Sequence, residues 1–371
     1  MAKILTKRVS LVELFYDLVF VYMISRATSL IHHLHNGIIN PLTLGIFALV
    51  IIVFINSWMV QTVFTNRYGT SSWTDVIISF INMAIVLYMS NSFTATYDHN
   101  LKTFFLAAGL LSLTLMIQYL IVYFKTDNLV DKQISRAFAL ILIFRTICLL
   151  IGGLIENKVG LAIALIGIIV SWILPGFTGK YTENHPIIFS HLLERLTALI
   201  IVMFGETIVG IADYFTKQNF SIQSLLIFVI VVGLFFTYIV EFDHMIDENR
   251  AHETGNKLIY LHYFILFGLS MITVSLKFIN EESANPLFSV SFLYGGIALF
   301  YIGLALSNYY NKKEMSNNLS LMVFFAITTL VGYLLALKFD TFTPIVIITT
   351  IVVMINVIFQ TSFMFRNTKS N

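Results

Sequence analysis

Apolar stretches about twenty residues long recur along this chain from Leu11 to Phe365, with only short gaps between them. A helix needs roughly 20 mostly apolar residues to cross the hydrocarbon core of a bilayer. An independently folded soluble domain needs at least ~50 residues, and no gap offers that many. Of the 371 residues, 58% are hydrophobic and only 11% are charged, whereas a soluble domain carries about 25% charged residues. So few charges cannot cover a water-facing surface, and lipid must be the solvent. The pattern predicts an all-α, polytopic transmembrane helix bundle and excludes a soluble enzyme on a membrane anchor.

Twelve spans are predicted, at 11–33, 42–64, 74–95, 101–124, 135–155, 159–178, 190–213, 221–241, 257–279, 287–309, 318–338 and 342–364. The turn between the fifth and sixth is tight, holding only Glu156, Asn157 and Lys158. With the N-terminus inside, cytoplasmic segments hold fourteen of the 22 Lys and Arg residues, among them Lys3, Lys7, Arg8, Arg67 and Lys369. External loops hold five. Such an excess on one side sets orientation, so both termini are expected on the cytoplasmic side of the membrane. The first apolar segment follows a basic stretch but carries Glu13 and Asp17 and no small-residue cleavage site, so it reads as a retained span rather than a signal peptide.

Twelve spans suggest two parallel six-helix repeats, 1–180 and 181–371. Ser10–Val21 aligns with His191–Val202, with Glu at the fourth position of each, Glu13 and Glu194, and with Leu18 over Leu199. Repeats of six spans share orientation and are related by an axis along the membrane normal, as in many transport folds.

Ionisable residues inside spans cost at least ~2.5–3.5 kcal/mol each near a helix centre and persist when paired or facing water. Here they are Glu13, Asp17, Arg26, Arg145, Glu194, Arg195 and Glu206. Glu13 and Asp17, four apart, share a helix face, and His191 lies one turn before Arg195. Glu206 follows Arg195 by eleven residues, close to the same face and about 16 Å further along. The expected arrangement sets spans 1 and 7 against each other. Glu13 or Asp17 pairs with Arg195, Arg26 pairs with Glu206 at a similar depth, and Arg145 joins one of the acids. Static ion pairs would account for these charges as well, since a buried pair does not stabilise a fold by default.

Other features point to little chemistry. Cys148 is the single cysteine and lies in an apolar stretch, which excludes an internal disulfide and a Cys-based metal site. His32, His33 and His35 cluster at the end of span 1 as interfacial polar residues. Glu241, His244, Glu248 and His252 would form one stripe if their segment were helical, and it reads as a solvated connector. There is no Walker-type loop, no His-Glu-x-x-His and no Gly-x-Ser-x-Gly. No catalytic residue, cofactor or metal is implied, and a net charge of +2 gives no reason to invoke nucleic acid.

Two stretches carry a family likeness: Arg8-Val-Ser-Leu-Val-Glu13-Leu-Phe-Tyr-Asp17-Leu-Val-Phe-Val21, and His191-Leu-Leu-Glu194-Arg195 continuing to Phe204-Gly205-Glu206-Thr-Ile-Val-Gly210. With Trp58-x-x-Gln61 and Asn66-Arg67-Tyr68-Gly69, they resemble the bacterial low temperature requirement A family over most of the chain. The resemblance implies a link to growth in the cold. It places Glu13, Asp17, His191, Glu194, Arg195, Gly205 and Glu206 at motif positions, with Gly205 and Gly210 as backbone or packing residues. A looser likeness is to the potassium channel family with Phe-Ser-Asp in its first span. Here the triplet is Phe15-Tyr16-Asp17, and Ala198 stands where the second half would need Asp.

The expected function is an ion or small-solute transporter or channel, passing protons or monovalent cations along charges between spans 1 and 7. A membrane-embedded enzyme acting on lipid, or a scaffold or sensor in cold adaptation, are the alternatives. The lipid bilayer is the expected partner, and an oligomer is compatible with the sequence.

Overall fold

The computed structural model describes residues 7–93, 101–155, 157–316 and 319–368. Lys3, Lys369 and Glu156 lie outside the described residues. Thirteen α-helices carry most of the rest: α1 Leu11–Leu30, α2 Pro41–Tyr68, α3 Trp73–Ser90, α4 Leu101–Lys125, α5 Leu129–Leu154, α6 Lys158–Ile173, α7 Gly179–Thr182, α8 Phe189–Ile211, α9 Ile222–Ile239, α10 Asn256–Phe278, α11 Pro286–Leu306, α12 Leu319–Ala336 and α13 Phe342–Thr368. Apart from the single turn α7, each coincides with one expected span. Eleven are, among the described residues, long and apolar enough to cross a membrane. The twelfth is α1, 20 residues long, with Glu13, Asp17 and Arg26 in it. The largest differences are at α5, which starts at Leu129 behind its Asn128 cap, and at α3 and α6, which end at Ser90 and Ile173.

Local signals explain the helix starts. Ser10 caps α1 through a capping box with Glu13, and Ser72 caps α3 through one with Asp75. In this motif each partner satisfies a backbone N–H that the first turn leaves free. Asn285 caps α11, with Pro286 at its first position, where a missing N–H costs nothing. Outward faces are apolar: Ile327, Leu330 and Leu334 on α12 and Ile77, Phe80 and Ile81 on α3 are exposed. Such faces suit lipid, which needs no polar covering.

The chain divides into two compact units. The first holds Met1–Ile31, Pro41–Leu199 and Asn249–Lys257, and the second His32–Asn40, Ile200–Glu248 and Leu258–Asn371. Within the first, small residues bring α5 and α6 together. A Cβ on Gly152 would lie 2.7 Å from both Ala164 Cβ and the Gly160 carbonyl oxygen. Close backbone approach of this kind drives helix association in lipid, where apolar burial alone cannot.

Within the second unit, α10 and α11 meet through two glycines. A Cβ on Gly268 would lie 2.7 Å from the Gly296 carbonyl oxygen, and one on Gly296 would lie 2.8 Å from that of Gly268. Residues 32–40 form a small hairpin, with Leu34 opposite Ile39 and His35 opposite Ile38. Asn36 and Gly37 make its turn, both at positive φ, 54° and 79°, as a two-residue type I′ loop requires. The hairpin explains why the first helix stops at Leu30 rather than running to 33.

Candidate functional site: a buried charge network on α1, α2 and α8

The site lies within the first unit. α1 presents Glu13 and Asp17 on one face, one turn apart. α8 brings Arg195 against them, with Nη1 3.1 Å from Glu13 Oε1 and Nη2 2.7 Å from Asp17 Oδ1. One guanidinium therefore spans two carboxylates, which its planar fork of donors allows and an ammonium would not. Trp58 of α2 donates from Nε1 to Asp17 Oδ1 at 2.7 Å, and its ring lies 5.4 Å from the Arg195 guanidinium carbon. His191, one turn before Arg195, places Nε2 3.3 Å from Glu13 Oε1. Asn66 of α2 holds the other side of that ring, at 3.1 Å from Nδ1. Asn66 also donates to the Ile188 carbonyl and accepts from the Ile188 N–H, which fixes the start of α8 against the end of α2.

Every member is buried: Glu13 is 7% exposed, Asp17 2%, and Trp58, His191 and Arg195 0%. Two carboxylates and one guanidinium leave one negative charge when His191 is neutral. Glu13 also completes the capping box, accepting from the Ser10 N–H through Oε2 at 2.9 Å. A narrow crevice of about 40 Å³, lined by Lys7, Ser10, Glu13, Thr65, Asp75 and Ser79, reaches Glu13 from the end of α1. Its volume suffices for a water or a small ion. At its rim the Lys7 ammonium donates to the carbonyls of Thr65, Asn66 and Gly69. It caps the C-terminal end of α2, where the helix dipole favours a cation. Burial pushes the Lys7 pKa below its ordinary value, while Glu13 and Asp75 act in the opposite direction.

The structure thus brings together Glu13, Asp17, His191 and Arg195. Arg145 is 1% exposed and donates to Ser57 Oγ at 2.8 Å and the Val53 carbonyl at 3.2 Å, both on α2. Glu194 is exposed and takes no part in the network, because neighbouring residues on a helix point about 100° apart. Gly205 has nothing within 4 Å of a Cβ placed on it, so no packing contact requires its small size, whereas one on Gly210 would lie 2.9 Å from Thr273 Cγ2. Arg26 is half-buried on α1 in the first unit, and Glu206 is buried on α8 in the second.

Sequence reasoning missed the polar row on α2. Asn56, Ser57, Gln61, Thr62, Thr65 and Asn66 are all buried. Asn82 of α3 donates to Gln61, and Thr114 of α4 donates to Asn82. Three- and four-residue spacing of neutral polar residues was the available signal, but it carries no charge to mark it.

Of the three histidines beyond α1, His32 is half-buried in the second unit. Burial, reinforced by Lys277 and His33, lowers its pKa to about 4, against about 6.5 in an unfolded chain. Between these values the unfolded chain binds a proton that the folded one refuses. Stability is therefore expected to fall as pH drops from about 6.5 to 4, by on the order of 1–3 kcal/mol. In melting curves of purified protein across that range, His32→Gln should flatten this part of the decline; an unchanged pH profile would count against it.

A bundle of long apolar helices with lipid-suited faces and a buried ionic network defines a polytopic α-helical integral membrane protein. The chain belongs to the family described as bacterial low temperature requirement A protein, whose model matches residues 8–357. No curated protein and no solved structure matches it.

Proposed function

We propose that this protein moves an ion or a small solute across the membrane, and that the Glu13–Arg195–Asp17 network lies on the path. The observation that carries this reading is the charge imbalance: two carboxylates against one guanidinium, with Glu13 the most exposed of the three at 7%. Buried charge in a membrane is costly and marks pathways. One further positive charge would neutralise the network. A proton on Glu13, Asp17 or His191 would serve, as would a monovalent cation admitted by the crevice beside Lys7. Binding and release of that charge would be the elementary step of transport.

The same reading makes both termini cytoplasmic, from the Lys and Arg asymmetry, and treats the two halves of the sequence as parallel repeats. Loss of the protein would impair growth in the cold, as the family's description suggests.

The test is flux of protons, Na⁺ and K⁺ into liposomes holding the purified protein. Asp17→Asn is expected to lower flux about tenfold or more, a barrier change of only about 1.4 kcal/mol. Glu206→Gln, further along the same helix as Arg195, tests whether the path continues along α8. Silence of well-folded wild type, or unchanged flux in Asp17→Asn, would sink the proposal and leave lipid chemistry or scaffolding.

A further inference from the structure

A further buried carboxylate, Glu241, lies in the second unit, among residues that the reading above does not use. The last turn after α9, Val240–Met245, is π-helical, a geometry that is rare and recurs at functional sites. It carries Glu241, 1% exposed. Asn311 donates from Nδ2 to Glu241 Oε1 at 2.9 Å, and Gln360 of α13 donates from Nε2 to Oε2 at 3.2 Å. Among the described residues no cationic side chain forms an ion pair with it. Lys312 is turned away, its ammonium on the His244 carbonyl at 2.8 Å, and Asp243 and His244 are exposed.

Two features distinguish this arrangement from a neutral acid held in place. Both carboxylate oxygens accept a hydrogen bond, as the ionised form does best. The two amides, having turned their N–H groups to Glu241, leave their own oxygens unpartnered: Asn311 Oδ1 and Gln360 Oε1 are buried with no donor in reach. Asn311 is 5% exposed and Gln360 0%. Buried acceptors without partners are uncommon and each calls for an explanation. The backbone holds the set together. Lys312 N–H donates to the Met245 carbonyl, Asp247 N–H to that of Tyr310, and Ile246 bridges to Asn311. A cavity of about 570 Å³, lined by His244, Lys312, Glu314, Met315, Met364 and Phe365, opens one helical turn beyond Gln360.

We propose that Glu241, Asn311 and Gln360 form a binding site for a single alkali-metal cation. The chemistry fits a hard, weakly charged ion. All donors are oxygens, and the single negative charge of Glu241 balances one positive charge, where a divalent ion would leave an excess buried. The ion supplies both the counter-charge that Glu241 lacks and the partner that the two amide oxygens lack.

The test is the melting temperature of the purified full chain in NaCl, KCl and choline chloride at equal ionic strength. Na⁺ or K⁺, or both, should raise it saturably by at least about 3 °C over choline, and the difference between the two salts identifies the ion preferred. Glu241→Gln should abolish the increment. Gln360→Met, which keeps the carboxylate, should raise the half-saturating concentration about tenfold and serves if Glu241→Gln fails to fold. Equal melting in all three salts overturns the proposal. So does an increment that survives in folded Glu241→Gln, or stability in choline that rises with proton concentration to the level reached with the metal ions.

Discussion

Arg195→Met is expected to cost about 3–5 kcal/mol, the penalty for leaving a buried ion-pair partner uncompensated. Total stabilities are only about 5–15 kcal/mol, so the variant should melt far below wild type or fail to accumulate as monodisperse protein. The reason is geometric. Arg195 alone pairs with both Glu13 and Asp17, at 3.1 and 2.7 Å, and its loss leaves two buried carboxylates without their shared counter-charge. Arg195→Lys should fall between, since an ammonium cannot bridge both acids and stack on Trp58. The decisive measurement is the triple variant Glu13→Gln, Asp17→Asn, Arg195→Met. Neutral replacement of a whole buried ionic group is often tolerated, so the triple should recover most of the melting temperature lost by the single change. A triple no more stable than Arg195→Met would mean that the loss comes from packing rather than charge.

Gly296→Val is expected to cost about 3 kcal/mol, at the upper end of what overpacking does. The obstacle is backbone: the Gly268 carbonyl oxygen lies 2.8 Å from the site of the new Cβ, with Met271 Cβ at 2.9 Å. A side chain could rotate away, but a carbonyl within α10 cannot move without parting the two helices. Gly295 supplies the control, because the nearest atom to its Cβ position is the flexible end of Met271, at 3.2 Å. Gly295→Ala should therefore stay within about 1 kcal/mol of wild type. Melting temperatures of the two variants in the same detergent check the pair, and equal losses would remove glycine contact as the cause.

The helices were legible because the cost of exposing polar backbone to lipid forces long apolar runs, and these stand out in any sequence. Glu13, Asp17 and Arg195 were legible for the complementary reason, that a charge within such a run demands a partner. Neutral partners carry no such signal. Arg145 donates to the Ser57 hydroxyl and the Val53 carbonyl on α2, and neither contact leaves a mark in the sequence. Glu194 and Arg195 are adjacent in the chain and equally charged in magnitude, yet only one faces inward; the choice belongs to the rotation of α8. Lys7 reads as one more cytoplasmic charge, whereas its ammonium caps α2. Glu241 sits at the edge of an apolar run, where the segment reads as a solvated connector, because a π-helical turn has no sequence signature comparable to a cap. The Asn36-Gly37 turn is the opposite case, a strong local signal overshadowed by the apolar pattern around it.

The two oxygens of Glu13 serve different structures. Oε2 accepts from the Ser10 N–H at 2.9 Å, while Oε1 faces Arg195 and His191. Fraying of the α1 N-terminus and the ionic state of the interior are therefore one variable. Any proton or ion that draws Glu13 inward slackens the first turn, and any pull on that turn shifts the carboxylate. The Ser10 amide, whose hydrogen exchange is slowed only while that bond is closed, becomes a clock at the membrane surface for events several ångströms below it.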